Sequence, residues 1–212
     1  MSRSVKPKLR GVPHLISAFV AIPAVYGLVQ HAPAGALSTS ALIYGLSLCL
    51  LLSTSALYHT PHWEPGPRAF LRRVDHAMIY VLIAGSYTPF FTVLDSDRDG
   101  WVLPVVWGTT VVGTLASVFW PQMPRWFATL LYMILGWLAV PFAAEFAAQC
   151  GWTPVWLVGL GGLAYSVGGV CYARKSPDLV PGVFGYHELF HVLVSVAAGC
   201  HYAAVWHVMG QA

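Results

Sequence analysis

Gly185-Tyr186-His187-Glu188-Leu189-Phe190-His191 opens an apolar run that reaches Val208 without another charged residue. About 20 apolar residues are enough to cross a bilayer as a helix. His187 and His191 stand four apart, so on that helix they share one face with their side chains roughly 6 Å apart. Imidazoles brought to the mouth of a hydrocarbon-spanning segment are expensive there and mark a functional site by default. Their spacing suits two nitrogen ligands on one metal ion, and a third must come from elsewhere in the chain.

Composition fixes the solvent in which that pair is read. Of 212 residues, 57% are hydrophobic and only 9% charged, with a mean hydropathy of +0.65. Soluble domains carry about a quarter charged residues, so this is an all-α, polytopic membrane protein. Cys49, Cys150, Cys171 and Cys200 are scattered without a C-x-x-C spacing, which argues against a disulfide framework or a thiolate metal site. The formal charge of +3 is divided among short loops. That distribution excludes a nucleic-acid surface and points to membrane topology.

From the amino terminus, a basic arm within residues 1–12 (Arg3, Lys6, Lys8, Arg10) precedes a first span over 14–29. Ala32-Pro33-Ala34 resembles a signal cleavage site, but the apolar run is long for a signal core and is read as a span. Further spans are expected over 38–58, stopped by Pro61, Pro65 and Pro67; over 74–94, bent at Pro89; and over 101–119, 126–148, 153–173 and 184–208. These seven segments predict a seven-transmembrane helix bundle, 1–212 forming a single domain.

Orientation follows from the basic residues. With the amino terminus cytoplasmic, Arg98, beside Asp95, Asp97 and Asp99, is the only one of the eleven lysines and arginines outside. The carboxyl terminus then lies outside. Odd-numbered spans start at the inner surface and even-numbered spans end there. His187, His191, the end of span two (Ser55, His59) and the start of span three (Asp75) therefore share one membrane depth near the cytoplasmic face.

Three imidazoles and no thiolate match a catalytic zinc site with a fourth position for water, and favour Zn2+ over iron or manganese. The predicted metal ligands are His59, His187 and His191. The Asp75 carboxylate offsets part of the ion's charge in a low-dielectric layer. Asp75 is a candidate base or orienter of the water, and Ser55, one turn before His59, a second hydrogen-bonding group. Blander readings stand beside these: Ser55 bonding its own helix, and Asp75 pairing with Arg72 or Arg73. Glu188 is offset by about 100° from His187 and reads as an interfacial or supporting group. His76 reads as a packing residue, and His201, about 15 Å along the helix from His191, is too distant to join the ion. His14, His31 and His62 read as interfacial. Trp63, Trp101, Trp126, Trp152 and Trp206 form an anchoring belt. Gly159, Gly161, Gly162, Gly168, Gly169 and Gly199, with Ser195, are expected to let helices approach closely.

Ser55-x-x-x-His59, the stretch Asp75-His76-Ala77-Met78-Ile79-Tyr80-Val81-Leu82-Ile83-Ala84-Gly85-Ser86-Tyr87-Thr88-Pro89-Phe90, and His187-x-x-x-His191 together resemble the hemolysin III proteins. These are the microbial branch of the progestin and adipoQ receptor family, in a wider group that includes the alkaline ceramidases. The resemblance covers nearly the whole chain. It implies a seven-helix fold, an inner amino terminus, zinc on the residues matching His59, His187 and His191, and Asp75 and Ser55 near the bound water. Since relatives in the wider group hydrolyse ceramide amides, a lipid amide or ester is the implied substrate.

The expected function is therefore a zinc-dependent hydrolase of a membrane lipid in the cell membrane. The alternative is a non-enzymatic receptor, sensor or membrane-homeostasis regulator with structural zinc. A lytic pore ranks last, because no polar stripe repeats along the spans. The expected partner is a membrane lipid; self-association is left open.

Overall fold

The computed structural model describes residues 6–94, 100–120 and 122–211. Arg3 of the basic arm and the acidic-loop residues Asp95, Asp97, Arg98 and Asp99 lie outside that range. Within it, the apolar segments form eight α-helices: α1 (Val12–His31), α2 (Ala36–His59), α3 (Pro65–Leu94), α4 (Val102–Phe119), α5 (Arg125–Trp137), α6 (Ala143–Cys150), α7 (Trp152–Arg174) and α8 (Tyr186–Met209). Helices α5 and α6 share one apolar stretch, Arg125–Cys150, so seven spans are long and apolar enough to cross a membrane.

Two spans depart from the sequence expectation. The fifth, expected to be continuous, breaks after Trp137 and passes through a short 3-10 turn, Val140–Phe142. Pro141 lies in that turn and has no amide proton for the helical ladder. The Leu135 carbonyl just before the break accepts a hydrogen bond from the Tyr87 hydroxyl at 2.8 Å. Backbone acceptors at membrane depth need such partners, since lipid offers none.

The third span starts at Pro65, well before the expected Val74. Proline is tolerated in a first helical turn, where the amide protons have no intrahelical acceptor anyway. Pro65 and Pro67 therefore open α3, and Arg68, Arg72 and Arg73 belong to a helix face instead of a loop. Pro89 sits buried inside α3, and the helix continues past it to Leu94.

Helix neighbours form a ring: α1 packs on α2, α2 on α3, α3 on α5, α5 on α7, α7 on α8, and α8 back on α1, with α4 against the outside of α3. The ring is tight between α7 and α8 and between α2 and α3, and sparse between α3 and α5. Small residues set the tight contacts. A Cβ at Gly161 of α7 would meet the His201 ring of α8 and lie 3.1 Å from the Ala197 carbonyl, and one at Gly169 would stand 3.0 Å from Thr129 of α5. Gly159 and Gly199, expected to serve the same purpose, have nothing within 4 Å of that position and face open space. Large apolar side chains such as Phe19, Phe119 and Trp156 point outward, as lipid-facing residues should, and Trp101, Trp126, Trp152 and Trp206 are exposed near helix ends.

Candidate metal centre

At the end of the bundle where α1 begins, two helices deliver three histidines to one point. His59 comes from the last turn of α2; His187 and His191 come from successive turns of α8. All three are buried. Their ring centroids form a near-equilateral triangle, 4.6 Å for His59 to His187, 4.8 Å for His59 to His191 and 4.7 Å for His187 to His191. The interplanar angles are 69°, 64° and 62°, so the rings stand around a common centre like blades.

Each ring offers one nitrogen, and the three nitrogens lie within 4.8 Å of one another. His59 Nε2 and His187 Nε2 are 3.2 Å apart. With metal–nitrogen bonds of roughly 2.0–2.1 Å, a tetrahedral ion holds its ligand nitrogens about 3.3 Å apart, so that edge is already the right length. His191 Nδ1 is buried without a hydrogen-bond partner. An unpaired buried polar atom costs roughly 1–3 kcal/mol, and ligation of the ring helps offset that cost. The three imidazoles can therefore bind a metal ion.

Asp75, on α3, has Oδ2 3.6 Å from His59 Nε2. Ser55 is buried one turn before His59 and lines the same cavity as Asp75 and the three histidines. Helix geometry explains the agreement: α2 ends, α3 passes, and α8 begins at this depth. His201, on the same helix as His191, sits apart, edge-on to Tyr165 with ring centroids 5.4 Å apart. His76 lies next to Asp75 on α3, and its carbonyl accepts from the Tyr132 hydroxyl at 3.3 Å.

Three residues at the site escaped the sequence reading. His14, expected at the interface, is buried on α1 and stacks flat on His191, with centroids 3.9 Å and planes 5° apart. Neither of its ring nitrogens has a hydrogen-bond partner. Since α1 begins at this end, the depth argument that united the other histidines applies equally to it. Arg10, taken as a topological charge, forms an ion pair with Glu188, which is fully buried. Glu188 also accepts from the Gly185 amide at 2.8 Å, so its carboxylate caps α8 and holds the arm, and is occupied away from the three imidazoles.

Gly11 is the third. It adopts φ 86° at the start of α1, a left-handed conformation that favours glycine. A Cβ there would lie 2.8 Å from the Cβ of His59. The missing side chain lets the arm cross directly over His59 on its way to Glu188. A further tie runs through hydroxyls: Ser17 of α1 lies 2.8 Å from Ser195, which donates to the His191 carbonyl at 2.9 Å.

The cluster opens onto a cavity of about 620 Å³ that runs between α3, α5, α7 and α8. Beyond the histidines its walls are mostly apolar, with Ile79, Ile83, Phe90, Phe146, Val158 and Val194 among them. Lys6 and several arginines also line it.

Comparison with known proteins agrees with this architecture. The Haemolysin-III related family model matches residues 2–202. Hemolysin-3 of Bacillus cereus is 30% identical, over 92% of this chain and 88% of its own. The Hemolysin-3 homolog of Bacillus subtilis (strain 168) is also 30% identical, over 86% of this chain and 84% of its own. Monocyte to macrophage differentiation factor of Homo sapiens is 26% identical, over 79% and 69% respectively. With seven apolar spans and a match along nearly its whole length, the chain belongs to the Haemolysin-III related family of multi-pass integral membrane proteins.

Proposed function

We propose that this protein is an intramembrane, zinc-dependent hydrolase of a lipid amide or ester bond, with its site near the cytoplasmic face. The observation that carries the reading is the position of the three imidazoles and Asp75 on the wall of a largely apolar cavity. A metal that only braced α2, α3 and α8 would need no such space beside it.

His59, His187 and His191 would hold the ion, and zinc bound there supplies Lewis acidity and brings the pKa of a water to about 7. Around it, this chain's own groups divide the work. The cavity seats the acyl chain and keeps bulk water from the scissile bond. Asp75 takes the proton of the attacking water as the new carbon–oxygen bond forms, then returns it to the departing nitrogen or oxygen as the old bond breaks. Ser55 donates a hydrogen bond to the oxygen on which charge develops. The products are a carboxylic acid and an amine or alcohol.

The test is lipid mass spectrometry on purified protein with phospholipid and sphingolipid mixtures. Release of a fatty acid by wild type, lost in Asp75→Asn with zinc still bound, is expected. Zinc-loaded wild type that releases no acid from any of these lipids would overturn the hydrolase reading and leave a sensor with structural zinc. The relatives named hemolysin bring lysis to mind, but the sequence shows no polar stripe repeated along the spans that would line a water channel.

A further inference from the structure

The positive-inside rule explains why the cations gather at one end of the bundle, but not why most of those among the described residues line the cavity. Lys6, Arg10, Arg68, Arg72, Arg73 and Arg125 all line it, whereas Lys8, Arg174 and Lys175 do not. Lys6 donates to the Thr60 and Pro61 carbonyls at 3.1 and 3.2 Å. Arg125 lies 3.4 Å from the Tyr186 hydroxyl and 5.2 Å from the centre of the Tyr172 ring. Those partners are neutral, and among the described residues neither cation has an ion pair. Arg73 Nε is buried with no hydrogen-bond partner. Burial pushes the Lys6 ammonium below its ordinary range, and Arg68 and then Arg10 push it the same way. Arg10 is matched by Glu188, and among the described residues Asp75 is the only carboxylate lining the cavity.

One face of α3 orders these features along the cavity. Arg68 and Arg72 come first, then Asp75 beside the histidines, then Ile79, Ile83 and Phe90. At 1.5 Å of rise per residue, the cations stand about 5–10 Å from Asp75 along the axis, on the side opposite the apolar stretch. A ligand spanning this face needs an anion, then a reactive group, then a hydrocarbon tail. Glycerophospholipids have that order, with phosphate and acyl ester separated by one glycerol unit. Arginine forks suit phosphate oxygens in particular.

We infer that the cavity binds an acyl lipid with an anionic, phosphate-bearing headgroup, held by Lys6, Arg68, Arg73 and Arg125, with its tail along the apolar wall. As the substrate class of the hydrolase this rests on the proposed function; as a binding site it does not, and the test keeps the two apart. Ether-linked probes contain no cleavable acyl bond. Native mass spectrometry of the purified protein would compare an alkyl-ether lysophosphatidic acid with the alkylglycerol of the same chain length.

The phosphate-bearing lipid is expected to bind about tenfold more tightly, an advantage that shrinks as salt rises from roughly 0.1 to 0.5 M. Arg68→Gln and Arg73→Gln should each remove most of it, while Lys8→Gln and Arg174→Gln should retain it. Arg68 is exposed, so its substitution remains informative if the Arg73 variant does not fold. Equal binding of the two lipids, or equal losses in the Lys8 and Arg174 variants, would overturn the inference. So would displacement by inorganic phosphate at the lipid's own concentration. If the ether lipid binds as expected and its ester counterpart is not cleaved, the hydrolase fails and the binding site stands.

Discussion

His191 and His201 stand on the same helix, the first buried and the second half-buried, and each keeps a ring nitrogen without a hydrogen-bond partner. Around His191 gather His59, His187 and His14 from three helix segments, with Asp75 beside His59. Around His201 lie the Tyr165 ring and the bare backbone of Gly161. An unpartnered imidazole nitrogen alone therefore says little. What separates a site from a packed polar residue here is convergence of independent chain segments at one depth, since His191 and His201 both line the cavity.

The sharpest way to break that contrast is at Asp75. Asp75→Asn keeps size and removes the charge; hydrolysis is expected to fall by about 10²–10⁴-fold, as for loss of a general base, while zinc is retained. Parallel loss of zinc and activity would make the carboxylate a ligand or structural partner instead. Next comes the Arg10–Glu188 pair, which fastens the arm across the same end. Arg10→Ala strands a buried carboxylate and should cost about 3–5 kcal/mol, read as a lowered denaturation midpoint, whereas Arg10→Met with Glu188→Leu should recover most of it.

Smaller effects test the helix contacts. Gly11→Ala places a methyl against His59 in a left-handed backbone, with an expected penalty of about 1–3 kcal/mol and weakened zinc binding. Gly161→Ala should destabilise by about 1–3 kcal/mol through the His201 ring, with zinc binding intact. Gly159→Ala, with no atom within 4 Å of the added methyl, should not destabilise the protein. If Gly159→Ala were as harmful as Gly161→Ala, the helix approach would not be set where these contacts place it.

Much of this was legible in the sequence, for identifiable reasons. Hydropathy gives spans because lipid tolerates few charges, and the odd–even rule for span ends then brings His59, Asp75, His187 and His191 to one depth. What hydropathy lacks is local backbone information. Pro141 breaks span five inside an apolar stretch that scores as continuous, and Pro65 opens a helix where a proline-rich segment reads as a loop. Charges carry two meanings at once. Arg10 satisfies the topology rule and also holds Glu188, and only the fold reveals the second role. His14 was accessible to the depth argument but lacked the i, i+4 partner that drew attention to His187. Gly159 and Gly161 are equivalent in sequence; which of them meets a neighbour depends on helix rotation.

His59, His187 and His191 are proposed to hold a metal ion, whereas His201, elsewhere on α8, is not. Elemental analysis of purified wild type, His191→Ala and His201→Ala addresses this claim directly. About one zinc per chain is expected in wild type and in His201→Ala, with little or none in His191→Ala. Absence of metal from the wild type, or its loss in His201→Ala as readily as in His191→Ala, would contradict the claim and reduce the cluster to polar helix packing.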